Sequence, residues 1–293
     1  MSPTKKPRRA RRSPAPESTA SSRARRTALI TGASAGIGET LAWLIAAEDY
    51  DLILVARSKD KLEALAQALR ESHAIAVTLV PLDMAASGSA RKLWLAVQRQ
   101  KLAVDVLVNN AGVLQHGAFT AMTPAEHQAM VQLNVAGFTD LLAHFVPPMV
   151  DRGSGRVLNV ASIAAFQPIP SLATYAATKA YVLSLSEALG EELRGSGVTL
   201  TTLCPGITAT DMVARAQAGS SALRNLPAMV ISDVQEVAEE AWRACLKGQA
   251  IVVPGTLNLA TTLAARATPK WLVRRLTGLL GRTTLSLPRR SSL

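Results

Sequence analysis

From Thr27 to Val253 the chain alternates short, almost uninterrupted apolar runs with longer stretches whose apolar residues recur every three or four positions. A strand that is apolar on both sides must be covered on both sides, which is the habit of parallel sheets. Helices between such strands impose right-handed crossovers and a layer of helices on each face. The spacing predicts strands over Thr27–Thr31, Asp51–Ala56, Ala74–Pro81, Val104–Asn109, Arg156–Ala161, Val198–Cys204 and Ala250–Val253. It predicts helices over Gly36–Glu48, Lys59–Glu71, Ser89–Gln100, Pro124–Val150, Thr174–Arg194 and Asp233–Leu246, the fourth broken at Pro147-Pro148. No glycine follows the first helix, so Asp49 is expected to take the left-handed cap. The expected class is α/β: a doubly wound parallel sheet in one domain, residues 27–256.

The first strand runs into Thr31-Gly32-Ala33-Ser34-Ala35-Gly36-Ile37-Gly38 at the start of the first helix. Glycines turn tightly there and let the backbone approach a pyrophosphate at a helix N-terminus. Gly32, Ser34, Gly36, Ile37 and Gly38 are therefore placed at a dinucleotide. A carboxylate at the end of the second strand would bind the ribose 2′-hydroxyl of NAD and repel a 2′-phosphate. The stretch is instead Val55-Ala56-Arg57-Ser58, whose guanidinium suits a phosphate. The cofactor expected is NADP.

Tyr175 and Lys179 stand one helical turn apart, on one face. A phenol has an unperturbed pKa of about 10, and a neighbouring ammonium favours the phenolate. The pair is a plausible proton-transfer unit, with Lys179 expected to lower the pKa of Tyr175.

These motifs, with Asn109-Asn110-Ala111-Gly112, Asn134, Ser162 and Pro205-Gly206, resemble the short-chain dehydrogenase/reductase family over residues 27–256. The Leu-Val-Ala-Arg-Ser end of the second strand and the late Val-Pro-Gly resemble its broad-specificity, NADP-linked members. The resemblance implies a single-domain Rossmann-type fold and hydride transfer between nicotinamide and a carbonyl or alcohol. It implies that Ser162 hydrogen-bonds the substrate carbonyl; Ser154 and Ser171 are nearby but lack its strand-end position. It implies that Asn134 holds a water in a proton relay through a helix irregularity, and that Lys179 also binds the nicotinamide ribose. Asp83 would meet the adenine, or else close a helix cap. Asn110, Ala111 and Gly112 would pass under the adenine ribose. Pro205, Gly206 and either Thr208 or Thr210 would hold the nicotinamide amide. No metal is expected. A cofactor-binding protein without catalysis is the alternative.

The charge lies at the ends. Residues 1–26 carry +8 and residues 266–293 carry +7, so the remainder is −4 in a chain of net +11. The body thus offers no basic surface for a specific nucleic-acid role. Residues 1–26, rich in Arg, Ser and Pro, are expected to be a disordered basic tail. Cys204 and Cys245 show no framework spacing, no apolar run reaches about 18 residues, and no secretory leader is visible. A cytoplasmic protein with buried thiols is expected. Residues 257–293 are expected to form a helical extension and basic tail. Its Trp271–Leu280 arc beside Arg274 and Arg275 suits packing over the cleft or a subunit interface, or a peripheral membrane contact. Residues 211–231, with Leu114, Phe119 and Phe166, are expected to select an apolar carbonyl substrate, such as a 3-oxoacyl, lipid or steroid-like ketone or a small aldehyde. The apolar richness of the fourth and fifth helices, which relatives pair across a two-fold axis, predicts a homodimer or homotetramer.

Overall fold

The computed structural model describes residues 25–210 and 231–256, with Asn258, Leu259 and Thr262. The basic tail, most of the 211–231 segment and most of the C-terminal extension lie outside the described residues. Seven strands form one parallel sheet in the order β3-β2-β1-β4-β5-β6-β9. They are β1 (Thr27–Thr31), β2 (Asp51–Ala56), β3 (Val77–Pro81), β4 (Val106–Asn109), β5 (Gly155–Val160), β6 (Val198–Leu203) and β9 (Ile251–Val252). A small second pair, β7 (Ile207–Thr208) and β8 (Ile231–Ser232), brings the two ends of the 211–230 segment together. The first two strands have the expected limits, and the other strand and helix limits differ by at most three residues.

Successive strand residues face opposite layers. Leu52 and Leu54 pack under α1 (Gly36–Ala46), α2 (Lys59–Ser72) and α7 (Val234–Leu246), against Leu41, Leu65 and Trp242. Ile53 and Val55 face the other layer, with Leu93 of α3 (Ser89–Arg99), Phe145 of α5 (Phe138–Asp151) and Val182 of α6 (Ala173–Glu192). The apolar stripe Leu62, Leu65 and Leu69 is buried, as its spacing predicts. Asp49 adopts φ 60 after α1, the left-handed cap expected of it.

The expected break at Pro147-Pro148 does not occur: α5 continues through both prolines to Asp151. Each proline removes a backbone bond and crowds the preceding turn, at about 3 kcal/mol. Phe145, Val146 and Met149 are buried on either side of the pair. Each such burial is worth roughly 1.5–3 kcal/mol, enough to hold the helix. The irregularity lies earlier. After α4 (Pro124–Val131) the chain widens into a π-helical turn at Gln132–Gly137, and this turn contains Asn134. By length and composition Pro124–Asp151 could cross a membrane, but its apolar residues from Phe138 to Met149 pack on the sheet, as in a core helix.

Candidate active site

The strand order reverses between β1 and β4, so a crevice opens at their carboxyl ends. A cavity of about 800 Å³ occupies it, within the usual range of ligand pockets. A smaller cavity of about 430 Å³ lies beside β9, lined by Arg243, Lys247, Leu259 and Phe166, the last of which was expected at the substrate.

The turn from β1 to α1 builds one end of the large cavity. Gly36 has φ 57, a conformation that side chains strain. Gly38 is closed in more tightly: a Cβ there would lie 2.4 Å from the Gly32 oxygen and 2.5 Å from Asn110 Nδ2. Asn110 Nδ2 donates to the carbonyls of Thr31 and Gly32, at 2.9 and 3.2 Å. Thr31 Oγ1 accepts from the amides of Asn110 and Ala111, at 3.0 and 3.1 Å, and donates to the Val108 carbonyl. The loops leaving β1 and β4 are thereby fixed to each other. Ala35, the N-cap of α1, has no side-chain acceptor, so the first-turn amides have no side-chain cap and remain available to an anion. Gly32, Ser34, Gly36 and Ile37 line the cavity beside them.

At the far rim stand Arg57, exposed just past β2, and Ser58 and Lys61. Asp83 lines the wall and accepts from the Ala85 amide at 3.0 Å. It therefore closes its own turn, while Gly88 is the N-cap of α3. Asn110, Ala111 and Gly112 continue the wall. Asn109 lies beneath, donating through Nδ2 to the Phe138 carbonyl at 3.1 Å.

The other end holds Ser162, Tyr175 and Lys179, all nearly buried and all facing the cavity. Ser162 Oγ accepts from the Ala164 amide at 3.1 Å and is hydrogen-bonded to the Tyr175 hydroxyl. Lys179 Nζ donates to the Val160 carbonyl at 2.8 Å, which aims the ammonium along the end of β5. Burial pushes the Tyr175 phenol up from 10.0 to about 12, and only the hydrogen bond with Ser162 opposes this. Burial likewise pushes Lys179 down to about 8. The direction is opposite to the lowering expected from Lys179. Its nitrogen is 5.9 Å from the phenol ring centre, and burial sets the direction of the shift at Tyr175.

Pro205, Gly206, Thr208 and Thr210 cover the same end. Thr208 Oγ1 donates to the Gly206 carbonyl at 3.2 Å, whereas Thr210 approaches the glycine turn: a Cβ on Gly36 would lie 3.0 Å from its methyl carbon. Both threonines remain candidates for the amide contact.

Two of the expected catalytic and cofactor residues do not line the cavity, and neither do Phe119 and Phe166, which were expected at the substrate. Gly38 supports the turn from behind. Asn134 is buried behind Val113: its Oδ1 accepts from the Val113 amide and its Nδ2 donates to the Val113 carbonyl, each at 2.9 Å. Nδ2 also donates to Thr178 Oγ1, which donates to the Tyr175 carbonyl. The Asn134 side chain is thus tied to Val113 and Thr178, with one acceptor position left on Oδ1. Ser154 and Ser171 do not line the cavity either. Lys61, Val113, Leu133, Ile169 and Leu172 line it without having been singled out; Lys61 is one turn into the helix that follows Arg57, and that position was a usable signal. Among the described residues no three His, Cys, Asp or Glu side chains converge as a metal site.

The geometry suits a long ligand with an anionic middle at the glycine turn and a reacting group beside Tyr175. A family model described as short chain dehydrogenase matches residues 26–221. An uncharacterized oxidoreductase of Staphylococcus aureus (strain N315) is 32% identical over 187 residues, 64% of this chain and 80% of that protein. Two of the similar solved structures illustrate this. A short-chain dehydrogenase from Sphingobium yanoikuyae in complex with NADPH has 31% identity and a TM-score of 0.74, over 92% of this chain and 98% of that one. A bulky-bulky ketone specific alcohol dehydrogenase from Comamonas testosteroni has 26% identity and a TM-score of 0.70, over 92% and 97%.

Proposed function

Because the chain belongs to the short-chain dehydrogenase/reductase family of oxidoreductases, we propose that it transfers a hydride between NADP(H) and an apolar ketone, aldehyde or the corresponding alcohol. The observation that carries this reading is the meeting of Ser162, Tyr175 and Lys179 in the cavity whose other end is the glycine cradle. The cradle fits a pyrophosphate because Gly36 leaves no side chain between backbone and ligand, and Gly38 lets the helix pack close behind the turn. Bound there, the nicotinamide would supply the hydride or accept it.

The chain's own residues do the rest. The Ser162 and Tyr175 hydroxyls polarise a carbonyl where negative charge develops. Tyr175, protonated at neutral pH, gives its proton to the nascent alkoxide. Lys179 stands behind it as an ammonium donor, for which the nicotinamide ribose is the proposed partner. Asn134 holds the Val113 wall and, through Thr178, the main chain at Tyr175. The apolar substrate reading is supported by Val113, Leu114, Ile169 and Leu172 around the reacting end, and by the ketone named for the Comamonas relative. NADPH oxidation measured against a panel of apolar ketones and aldehydes tests it. NADPH binding with no turnover of any carbonyl would favour a non-catalytic cofactor-binding protein.

The preference for NADP is proposed on Arg57, with Ser58 and Lys61 beside it at the cavity rim. Arg57→Ala is expected to raise the KM for NADPH about tenfold and to leave that for NADH within about twofold, the loss of one charge-assisted bond. Equal catalytic efficiency with both cofactors in the unmodified protein would defeat the proposal. A homo-oligomer is proposed as well, supported by Val131, Val150 and Tyr181, apolar or aromatic side chains 37–39% exposed on α4, α5 and α6. Light scattering should give a multiple of the 30.9 kDa chain mass; a monomer at micromolar concentration would contradict it.

A further inference from the structure

The reacting end of the cavity has two facing walls. The segment leaving β4 supplies Val113 and Leu114, and the segment before α6 supplies Ile169 and Leu172. These side chains pack with Met130 and Tyr175 in an apolar cluster separate from the two sheet cores. One main-chain bond crosses between the walls, from the Gly117 amide to the Ser171 carbonyl at 2.9 Å. Ser171 is held at φ 66, a left-handed conformation uncommon for serine.

His127 makes a second joint. It sits in the first turns of α4, whose start is set by a reciprocal cap: Thr123 Oγ1 accepts from the Glu126 amide, and the Glu126 carboxylate accepts from the Thr123 amide. His127 Nε2 is 3.1 Å from the Phe119 carbonyl, and Nδ1 is 2.8 Å from Thr174 Oγ1. A carbonyl can only accept, so Nε2 carries the hydrogen and donates. In the neutral ring Nδ1 is then the acceptor, and the Thr174 hydroxyl donates to it. The ring also lies over Phe119, with centroids 4.3 Å apart. One partly exposed imidazole therefore ties the 113–122 segment to the residue immediately before Tyr175, while not lining the cavity itself.

Resting on the oxidoreductase reading above, we propose that His127 is a positioning residue for the substrate: it latches the 113–122 wall to the start of α6 and so holds the mouth of the cavity in its binding shape. His127→Ala removes both bonds. Its KM for an apolar ketone should rise five- to tenfold, with kcat falling less than threefold and NADPH affinity unchanged, the scale of one or two ordinary hydrogen bonds. Thr174→Val removes only the hydroxyl donor and should give a smaller rise. The double variant should behave like His127→Ala, because one latch cannot be lost twice. His127→Gln, which can still donate to Phe119, should recover part of the loss.

Amide hydrogen exchange provides a readout that needs no turnover. Peptides covering 113–122 and 167–174 should exchange faster in His127→Ala, and not in the distant His73→Ala. Should His127→Ala unfold as a whole, Thr174→Val carries the same comparison. Unchanged exchange in both peptides overturns the latch. Faster exchange with KM unmoved, or with kcat and KM falling in parallel, overturns the positioning role. Faster exchange in a protein whose unmodified form reduces no carbonyl sinks the oxidoreductase reading and leaves the latch in place.

Discussion

Tyr175→Phe should cut carbonyl reduction by about 10²–10⁴-fold, the usual contribution of a positioned acid, while NADPH still binds. Phenylalanine keeps the ring packed in its small apolar cluster and removes only the hydroxyl that meets Ser162. Fluorescence titration reports NADPH affinity, and turnover reports the chemistry. A variant that turns over within about tenfold of the original would remove Tyr175 from the mechanism. The pH dependence has a definite sign. Reduction needs the protonated phenol, and burial pushes its pKa up to about 12. The proton is therefore present through the neutral range, and reduction should be flat there and decline only in strong alkali. Oxidation of the alcohol needs the phenolate, so its rate should climb with pH over the same range. A reduction rate that collapses near neutrality would contradict the burial-dominated site.

Gly38→Ala should weaken NADPH binding by roughly ten- to 100-fold, the scale of the ~1–3 kcal/mol that overpacking costs. The added carbon would lie 2.4 Å from the Gly32 oxygen and 2.5 Å from Asn110 Nδ2, and the former atom belongs to the rigid backbone. Neither can yield alone, because Asn110 also bonds the Thr31 carbonyl and Thr31 Oγ1 holds the amides of Asn110 and Ala111. Relief must come from moving α1 away from the turn, which spoils the cradle without touching Tyr175. Overpacking of this kind costs typically 1–3 kcal/mol of stability, so circular dichroism should show a folded protein with a lowered melting temperature. Binding within about threefold of the original would mean that the turn does not hold the pyrophosphate.

The alternation of apolar runs and helical stripes was enough to read the sheet, its parallel sense and the two helix layers. That pattern is a property of burial, and burial is written in local composition. The glycine turn was legible for the same kind of reason, since only glycine meets both the left-handed Gly36 and the closed-in Gly38. Asp49 was legible because no glycine stood at the helix end. The pairing of Tyr175 with Lys179 followed from helical spacing alone, and so did their common facing.

Other features depended on contacts between residues far apart in the chain. Pro147-Pro148 reads locally as a break, yet α5 continues because Phe145, Val146 and Met149 are anchored in the core around it. The π turn at Gln132–Gly137 carries Asn134, whose side chain reaches back to both main-chain groups of Val113, 21 residues earlier. The ionisation of Tyr175 was misjudged from spacing because a neighbouring ammonium can be counted in a sequence and desolvation cannot. His127 carried no local signal, since its role arises only where Phe119 and Thr174, eight and 47 positions away, meet the two nitrogens of one ring. Composition and period thus determined which residues are buried and which elements they form. The folded chain alone decided which polar groups share the buried space, and with it the charge and shape of the site.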